Sequence, residues 1–297
     1  MDLAVIGAGP AGLASGIYAG RFGLNAVIFD EKISGGLVNL TPVVENYPGF
    51  EKISGMELME KMRKQSEKYC EIHETEKVEK IVVDKEIEIV TTKKIYESKA
   101  LVFASGTEKR KIGVKGEKEF LGKGVSYCAT CDGPFFRNKK TVVIGGGNAA
   151  VIEALHLKNL DSDVSLIHRR NELRADKILQ NQVFEKGINI IWDSVVEEIF
   201  GDNIVKGIRI KNVKDNIIKN VDIDGVFVSI GEKPNSILAK GIGVKTDEKG
   251  YITVDRNQRT NISKIYAAGD ITGGLRQVVT ACAEGAVAAK SAYEDLL

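Results

Sequence analysis

The sequence predicts an α/β protein with two Rossmann-like nucleotide-binding domains, and three observations carry that reading. A short apolar strand runs straight into a glycine-rich turn and a helix at the N-terminus. The same pattern recurs from residue 140, and strand-rich stretches separate and follow the two copies. A chain of 297 residues is long enough to build two cores.

The first element, "DLAVIG" (2–7), is an unbroken apolar run, as suits a parallel strand buried on both faces. "LASGIYAGRFG" follows as a helix ended by Gly23, and "NAVIFD" (25–30) is the next strand. A helix is expected over 52–70, with Met56, Leu58, Met59 and Met62 as its packed stripe. Strands are expected at 78–83, 86–91 and 99–103. The second copy, "KTVVIGGGNAAVIEALHLKNL" (140–160), leads into the strand "DVSLIHRR" (163–170). "GVFVSIG" (225–231), "GYITVD" (250–255) and "KIYAAGD" (264–270) read as strands, and 278–297 as a helix of small residues. No low-complexity linker intervenes, so short crossings between domains are expected near 108–114 and 232–240.

Composition narrows the function. The 42 basic and 41 acidic residues leave a net charge of +1 with no basic block, which argues against nucleic acid or an anionic membrane as the main partner. No basic n-region precedes the first apolar run, and glycines break that run early. Neither a signal peptide nor a membrane span is expected, and the expected location is cytoplasmic.

Gly7, Gly9 and Gly12 make GxGxxG between strand and helix, with Pro10 and Ala11 inside the motif. The first glycine permits a tight turn, the second lets pyrophosphate approach the backbone, and the third lets helix and strand pack closely. The helix start offers free N–H groups to phosphate. Asp30 closes the next strand, placed to accept from a ribose hydroxyl, with Glu31 as its neighbour and rival.

In the second copy Gly145, Gly147 and Ala150 make GxGxxA around Asn148 and Ala149. Its second strand ends in His168, Arg169 and Arg170, with Arg174 beyond. A carboxylate at this point favours a free 2′-hydroxyl, whereas guanidinium groups favour a 2′-phosphate. The first site therefore reads as one for the adenosine of FAD or NAD, and the second as one for NADP. Two such sites in one chain point to a flavoenzyme that moves hydride between cofactors.

Cys128 and Cys131 form the one CxxC among four cysteines. The pair is half of a metal site, a staple, or a redox couple. Zinc needs two further ligands, and none of His73, His156, His168, Cys70 or Cys282 forms a second cluster. No metal is expected. Cys70 and Cys282 read as buried small hydrophobes, Trp192 as a filler of a core edge, and His73 and His156 as residues without a partner pattern.

Taken in order, GAGPAG (7–12), GG (35–36), VENYPGF (44–50), ASG (104–106), CATCDG (128–133), GGGNAA (145–150), HRRNELRA (168–175), IGEKPN (230–235) and AAGDITGGLRQVVTACAEG (267–285) resemble the low-molecular-weight thioredoxin reductases over essentially the whole chain. The resemblance implies three-layer β/β/α domains. An FAD domain would span 1–110 and 237–297, with an NADPH domain (111–236) inserted and carrying the CxxC. FAD would be held by Gly7, Gly9, Pro10, Ala11 and Gly12, by Asp30 or Glu31, by Gly35, Gly36 and Asn46, and by Ala104 and Gly106. Asp270 would contact the ribityl chain, and Arg276, Gln277 and Val278 would lie by the flavin ring. NADPH would occupy Gly145, Gly147, Asn148, Ala149 and Ala150, with His168, Arg169, Arg170 and Arg174 toward the 2′-phosphate. Cys128–Cys131 would be the active disulfide, Cys131 toward the flavin and Cys128 toward the protein substrate, with Asp132 as the acid.

The implied product is reduced thioredoxin, made by a homodimer. Leu37, Ala149 and Glu232 depart from the family pattern, the first near the flavin and the others near NADPH. Alternatives are reduction of another small disulfide protein, ferredoxin as electron donor, and a non-catalytic flavoprotein whose disulfide switches a binding face. The retained second glycine motif and arginines favour NADPH over ferredoxin.

Overall fold

A computed structural model describes residues 1–41 and 43–297. The chain opens with β1 (Leu3–Ile6), α1 (Pro10–Arg21), β2 (Ala26–Phe29), α2 (Gly55–Ser66) and β3 (Glu71–His73). Next come β4 (Val78–Val83), β5 (Ile87–Thr91), β6 (Ile95–Ser98), β7 (Ala100–Phe103) and β8 (Thr107–Lys109). Then β9 (Val125–Ser126), α3 (Ala129–Asp132), β10 (Lys140–Ile144), α4 (Asn148–Asn159), β11 (Asp163–Ile167), α5 (Lys177–Glu185) and β12 (Asn189–Ile191) follow. They lead into β13 (Ser194–Gly201), β14 (Val205–Asn212), β15 (Ile218–Asp222) and β16 (Gly225–Val228). The chain closes with β17 (Glu232–Pro234), α6 (Ile237–Gly241), β18 (Ile265–Ala267) and α7 (Val278–Leu296).

These elements divide into two compact units, Met1–Glu108 with Lys233–Leu297, and Lys109–Glu232. The first holds a parallel five-stranded sheet in the order β18-β7-β1-β2-β3, and the second a parallel sheet in the order β12-β11-β10-β16-β9. The duplication read from the sequence is thus a shared order of four strands, β7-β1-β2-β3 matching β16-β10-β11-β12, while the fifth strand comes late in the chain in one sheet (β18) and ahead of the repeat in the other (β9).

Each sheet is covered on both faces, and strand periodicity shows how. Along β1, Leu3 and Val5 join a core with α1, α2 and α7, while Ala4 and Ile6 join one with Ile81, Ile87 and Ile89 of the antiparallel β4-β5-β6 sheet. In the other unit Val143 faces Val151, Ala154 and Leu157 of α4, whereas Val142 and Ile144 face Ile199, Ile208 and Ile210 of the β13-β14-β15 sheet. Successive side chains of a strand point to opposite faces, so one apolar strand serves two cores. The result in each unit is three layers: antiparallel sheet, parallel sheet, helices.

Several expectations shift. Ser54 caps α2, its hydroxyl accepting the Glu57 N–H at 3.1 Å, so the helix starts at Gly55 and ends at Ser66. Met56 lies 64% exposed in its first turn and is not part of the buried stripe of Leu58, Met59 and Met62. "GYITVD" forms no strand but one isolated bridge, Thr246–Ile252, because the Asp247 carboxylate gathers the Lys249 and Tyr251 N–H groups into a turn. Among the described residues no helix is long and apolar enough to cross a membrane.

Candidate active site

In the first unit the turn between β1 and α1 collects the predicted FAD residues. Gly7 has φ +106°, and a Cβ there would lie 2.3 Å from the Ala104 carbonyl oxygen. A Cβ on Gly12 would lie 1.8 Å from the Gly7 oxygen, whereas one on Gly9 meets nothing within 4 Å. Two glycines are thus required by the fold itself, and the middle one leaves open space beside the start of α1, where Pro10 is the first residue and Ala11 is buried. That is the fit a pyrophosphate needs.

Other segments close around the turn. The Gly35 N–H donates to the Ala8 oxygen at 2.8 Å, and a Cβ on Gly36 would stand 3.7 Å from the Gly9 Cα. Leu37 follows in a short 3-10 turn, 36% exposed. Gly269, the residue before Asp270, comes up against Ala11 of the motif. Asn46 Nδ2 donates to Gln277 Oε1 at 3.0 Å, joining two predicted FAD residues across 231 positions. Gln277 also caps α7, whose first residue is Val278, and Arg276 donates to the Tyr251 hydroxyl at 3.1 Å. The Gly106 oxygen accepts from Asn235 N–H at 3.0 Å, and Asn235 Nδ2 donates to Ser105 O at 2.9 Å, so ASG and IGEKPN meet.

Asp30 faces inward. Its Oδ2 accepts the Ala8 N–H at 2.7 Å and its Oδ1 the Lys32 N–H at 2.8 Å, while burial raises its carboxyl pKa. A carboxylate offers about four lone-pair sites, so acceptor capacity remains for a ribose. Glu31 is exposed and pairs with Lys32 and Lys77. The neighbouring His73 has partners that its sequence context hides: Tyr96 OH at 3.0 Å from Nδ1, with Glu76 and Glu71 at 3.3 Å.

In the second unit Gly145 and Ala150 are buried in the turn, and a Cβ on Gly147 meets nothing within 4 Å. Open space at the start of α4 matches that at the start of α1. The Asn148 side chain is taken: its Nδ2 donates to Asp176 Oδ2 at 2.8 Å and its Oδ1 accepts the Asp176 N–H at 2.9 Å. Ala149 beside it is exposed.

Arg169, Arg170 and Arg174 are exposed just beyond β11, and the Arg174 N–H donates to the Gly146 oxygen at 2.7 Å, which brings that residue to the glycine turn. His168 is 4% exposed and packs on Gly146. Burial, then the charges of Arg174 and Arg170, hold its pKa down, so the ring is neutral and the arginines alone supply the positive charge. The Glu232 side chain, nearly buried, pairs with Lys109 at 3.0 Å.

Cys128 and Cys131 are bonded, with Cα atoms 5.3 Å apart, within the span a disulfide allows. Cys128 is the N-cap of α3, and its sulfur accepts the Cys131 N–H at 3.2 Å. A thiolate on Cys128 is stabilised by that contact. Asp132 ends the same turn. Ser126 donates to Asp132 Oδ2 at 2.6 Å and accepts the Cys128 N–H at 3.0 Å, while Asp132 Oδ1 is buried without a partner among the described residues. Burial raises the Asp132 pKa, and the Ser126 bond works against it. A carboxyl so placed, in the cysteine turn itself, holds a proton more firmly than an exposed one and can act as an acid there.

Two glycine turns with open space beside a helix start, a carboxylate at one and guanidinium groups at the other, and a bonded cysteine turn stand in one chain. Residues 1–285 match the family of pyridine nucleotide-disulphide oxidoreductases. The chain belongs to that family. It is 40% identical over 297 residues to a thioredoxin reductase of Listeria monocytogenes, covering 99% of this chain and 93% of that one. It is 42% identical over 293 residues to a thioredoxin reductase of Rickettsia prowazekii, covering 96% and 94%. The crystal structure of thioredoxin reductase from Streptococcus pyogenes superposes with a TM-score of 0.93 at 40% identity, covering 99% of this chain and 97% of that one.

Sequence reading missed Ser126, Asn235 and Tyr251 as supports of the site, and also Glu284, whose Oε2 accepts the Gly269 N–H at 2.7 Å. Ser126 was the most accessible of these, since it lies two residues before Cys128 in the strand that feeds the turn. Cys70 and Cys282 are partly buried against the first core, and Trp192 packs at the edge of the core around α4.

Proposed function

We propose that this chain is an NADPH-dependent thioredoxin-disulfide reductase. The observation that carries the reading is the bonded Cys128–Cys131 turn with Asp132 inside it, in a chain of this family with two glycine-turn folds. FAD, when bound, takes a hydride from NADPH and supplies two electrons to a disulfide.

The first unit is assigned to FAD. Gly9 and the start of α1 admit the pyrophosphate, Asp30 accepts from the ribose, and the Asp270 turn with Asn46 and Gln277 lines the remainder. The second unit is assigned to NADPH and the disulfide. Gly147 opens space for the phosphates, and Arg169, Arg170 and Arg174 recognise the 2′-phosphate.

Once the pair is reduced, the Cys128 thiolate attacks a sulfur of the thioredoxin disulfide, forming a mixed disulfide and releasing one thioredoxin thiolate. Cys131, its proton passing to the thioredoxin thiolate just released, then attacks Cys128 as a thiolate, restoring the Cys128–Cys131 bond and releasing the second thioredoxin thiolate. Contact of its sulfur with the Cys131 N–H suits Cys128 to the outward attack. A homodimer in the cytoplasm is part of this proposal, resting on the family resemblance.

Purified protein supplied with NADPH and oxidised thioredoxin tests the reading. Cys128→Ser and Cys131→Ser should each stop thioredoxin reduction while flavin reduction by NADPH continues. Thioredoxin reduction that survives either change sinks it.

A further inference from the structure

We propose that Ser126 is the positioning residue of the acid: by donating to Asp132 Oδ2 it fixes Oδ1 as the oxygen that carries and delivers the proton. This rests on the reading of Asp132 as the acid given above. The Ser126 hydroxyl has one hydrogen and lies 2.6 Å from Asp132 Oδ2, against 3.4 Å from the Cys128 oxygen, so the carboxylate is its acceptor. Its lone pairs receive the Cys128 N–H at 3.0 Å. Ser126 is 4% exposed at the end of β9, where strand pairing with β16 holds it. The hydroxyl therefore ties the acid and the first residue of the cysteine turn to one rigid point.

With Oδ2 engaged as an acceptor, the unpartnered Oδ1 is the site for the proton. Reduction of Cys128–Cys131 breaks the S–S bond, and two electrons, supplied by NADPH through FAD, leave one thiolate and one thiol. The thiol's proton comes from Asp132 Oδ1, and the resulting carboxylate keeps the Ser126 bond. Burial disfavours the carboxylate, and the hydroxyl works against this by stabilising the charge left behind.

The titratable residues of α4, which packs on this turn, are Glu153, His156 and Lys158, and the His156 ring lies against Gly133, the residue after Asp132. The two cysteines are the remaining titratable groups in the turn.

Infrared titration of the intact flavoprotein, with aspartate labelled by ¹³C and Asp132→Asn to assign the band, reads the Asp132 carbonyl directly. The wild-type band of the protonated acid should lie at the lowered frequency of a hydrogen-bonded C=O, and a free-carbonyl frequency overturns the proposal without any variant. Ser126→Ala should raise that band's frequency and move its titration midpoint to higher pH. Thioredoxin reduction should then fall about tenfold, with its alkaline limb moved the same way. Ser126→Thr should restore frequency, midpoint and rate, while His156→Asn leaves all three in place. A fall in rate with frequency and midpoint unmoved would make Ser126 merely structural and overturn the proposal. If Asp132→Asn leaves rate and alkaline limb intact while the Ser126 effects on the band hold, the acid reading fails instead.

Discussion

Glu284 of α7 accepts the Gly269 N–H at 2.7 Å, and the same oxygen, Oε2, lies 3.2 Å from the Thr272 hydroxyl, whose one hydrogen has the Gly269 oxygen as its nearer acceptor at 2.9 Å. The last helix thereby holds the start of the short turn that carries Asp270. Burial raises the Glu284 pKa, and the contacts with Gly269 and Thr272 only partly oppose it.

The sign of the pH effect follows. A carboxyl with a raised folded-state pKa favours folding while it is protonated. That contribution is complete below the unfolded pKa and is lost as pH rises through the folded value, so at neutral pH the buried charge costs stability. Glu284→Gln keeps a carbonyl oxygen for the Gly269 N–H and removes the charge. Its melting temperature should exceed that of the wild type at pH 7, with the gap closing toward roughly pH 4. Glu284→Ala should fall below both, by about 1–3 kcal/mol, because it strands the Gly269 N–H. Thermal melts of the three proteins across pH are the check. A Gln variant that melts with Ala would mean the charge, not the acceptor, holds the turn.

The two helix-start glycines of the first motif should separate folding from cofactor binding. Gly9 has φ −75°, which alanine adopts freely, and its Cβ would meet nothing within 4 Å. Gly9→Ala should fold with stability within about 0.5 kcal/mol of the wild type, yet lose FAD affinity by about tenfold or more, since the methyl takes the space offered to phosphate. In Gly12→Ala the methyl would lie 1.8 Å from the Gly7 oxygen, a clash that only movement of α1 from β1 relieves. A cost above about 3 kcal/mol is expected there. Denaturant melts of the apoproteins and FAD titration settle it. Equal stability loss in both would remove the distinction.

What the sequence made legible follows from how each feature is encoded. The parallel strands β1, β2, β10 and β11 are buried on both faces, so they stand out as continuous apolar runs. β13 and β14 bury one face each, β15 is almost wholly exposed, and all three mix charges with apolar residues, so they merge into the surrounding polar sequence. Site residues whose chemistry sits inside one local motif, such as Cys128, Cys131 and the glycines, were readable. Pairings across distance were not. Nothing local ties Asn46 to Gln277 or Glu284 to Gly269, and His73 gains Tyr96 only because β3 and β6 bring both rings against Phe29. Ser126 escaped because a serine ending a strand is ordinary, and its role appears only when the turn folds Asp132 back onto it.

The arginines beyond β11 give the last prediction. Arg169, Arg170 and Arg174 are exposed, and the buried neutral His168 adds no charge to them. A charge-assisted hydrogen bond is worth about 1.5–3 kcal/mol in favourable cases. Exposure and shared contact with one phosphate make about 3 kcal/mol for the set more realistic than the sum. At about 1.4 kcal/mol per tenfold, NADPH should exceed NADH by on the order of a hundredfold in kcat/KM. The difference should lie mainly in KM, because the 2′-phosphate is remote from the hydride and is held alike in ground and transition states. Replacing all three arginines by alanine should erase most of the preference and leave FAD content unchanged, since the residues proposed to hold FAD lie in the other unit. Added salt should shrink the wild-type preference more than that of the variant, because exposed charges are screened within about 10 Å at 0.1 M. Stopped-flow reduction of the flavin by each nucleotide, in both proteins and at two ionic strengths, measures all of this. A preference that persists in the triple variant would move 2′-phosphate recognition away from the strand end and leave these arginines as ordinary solvated surface.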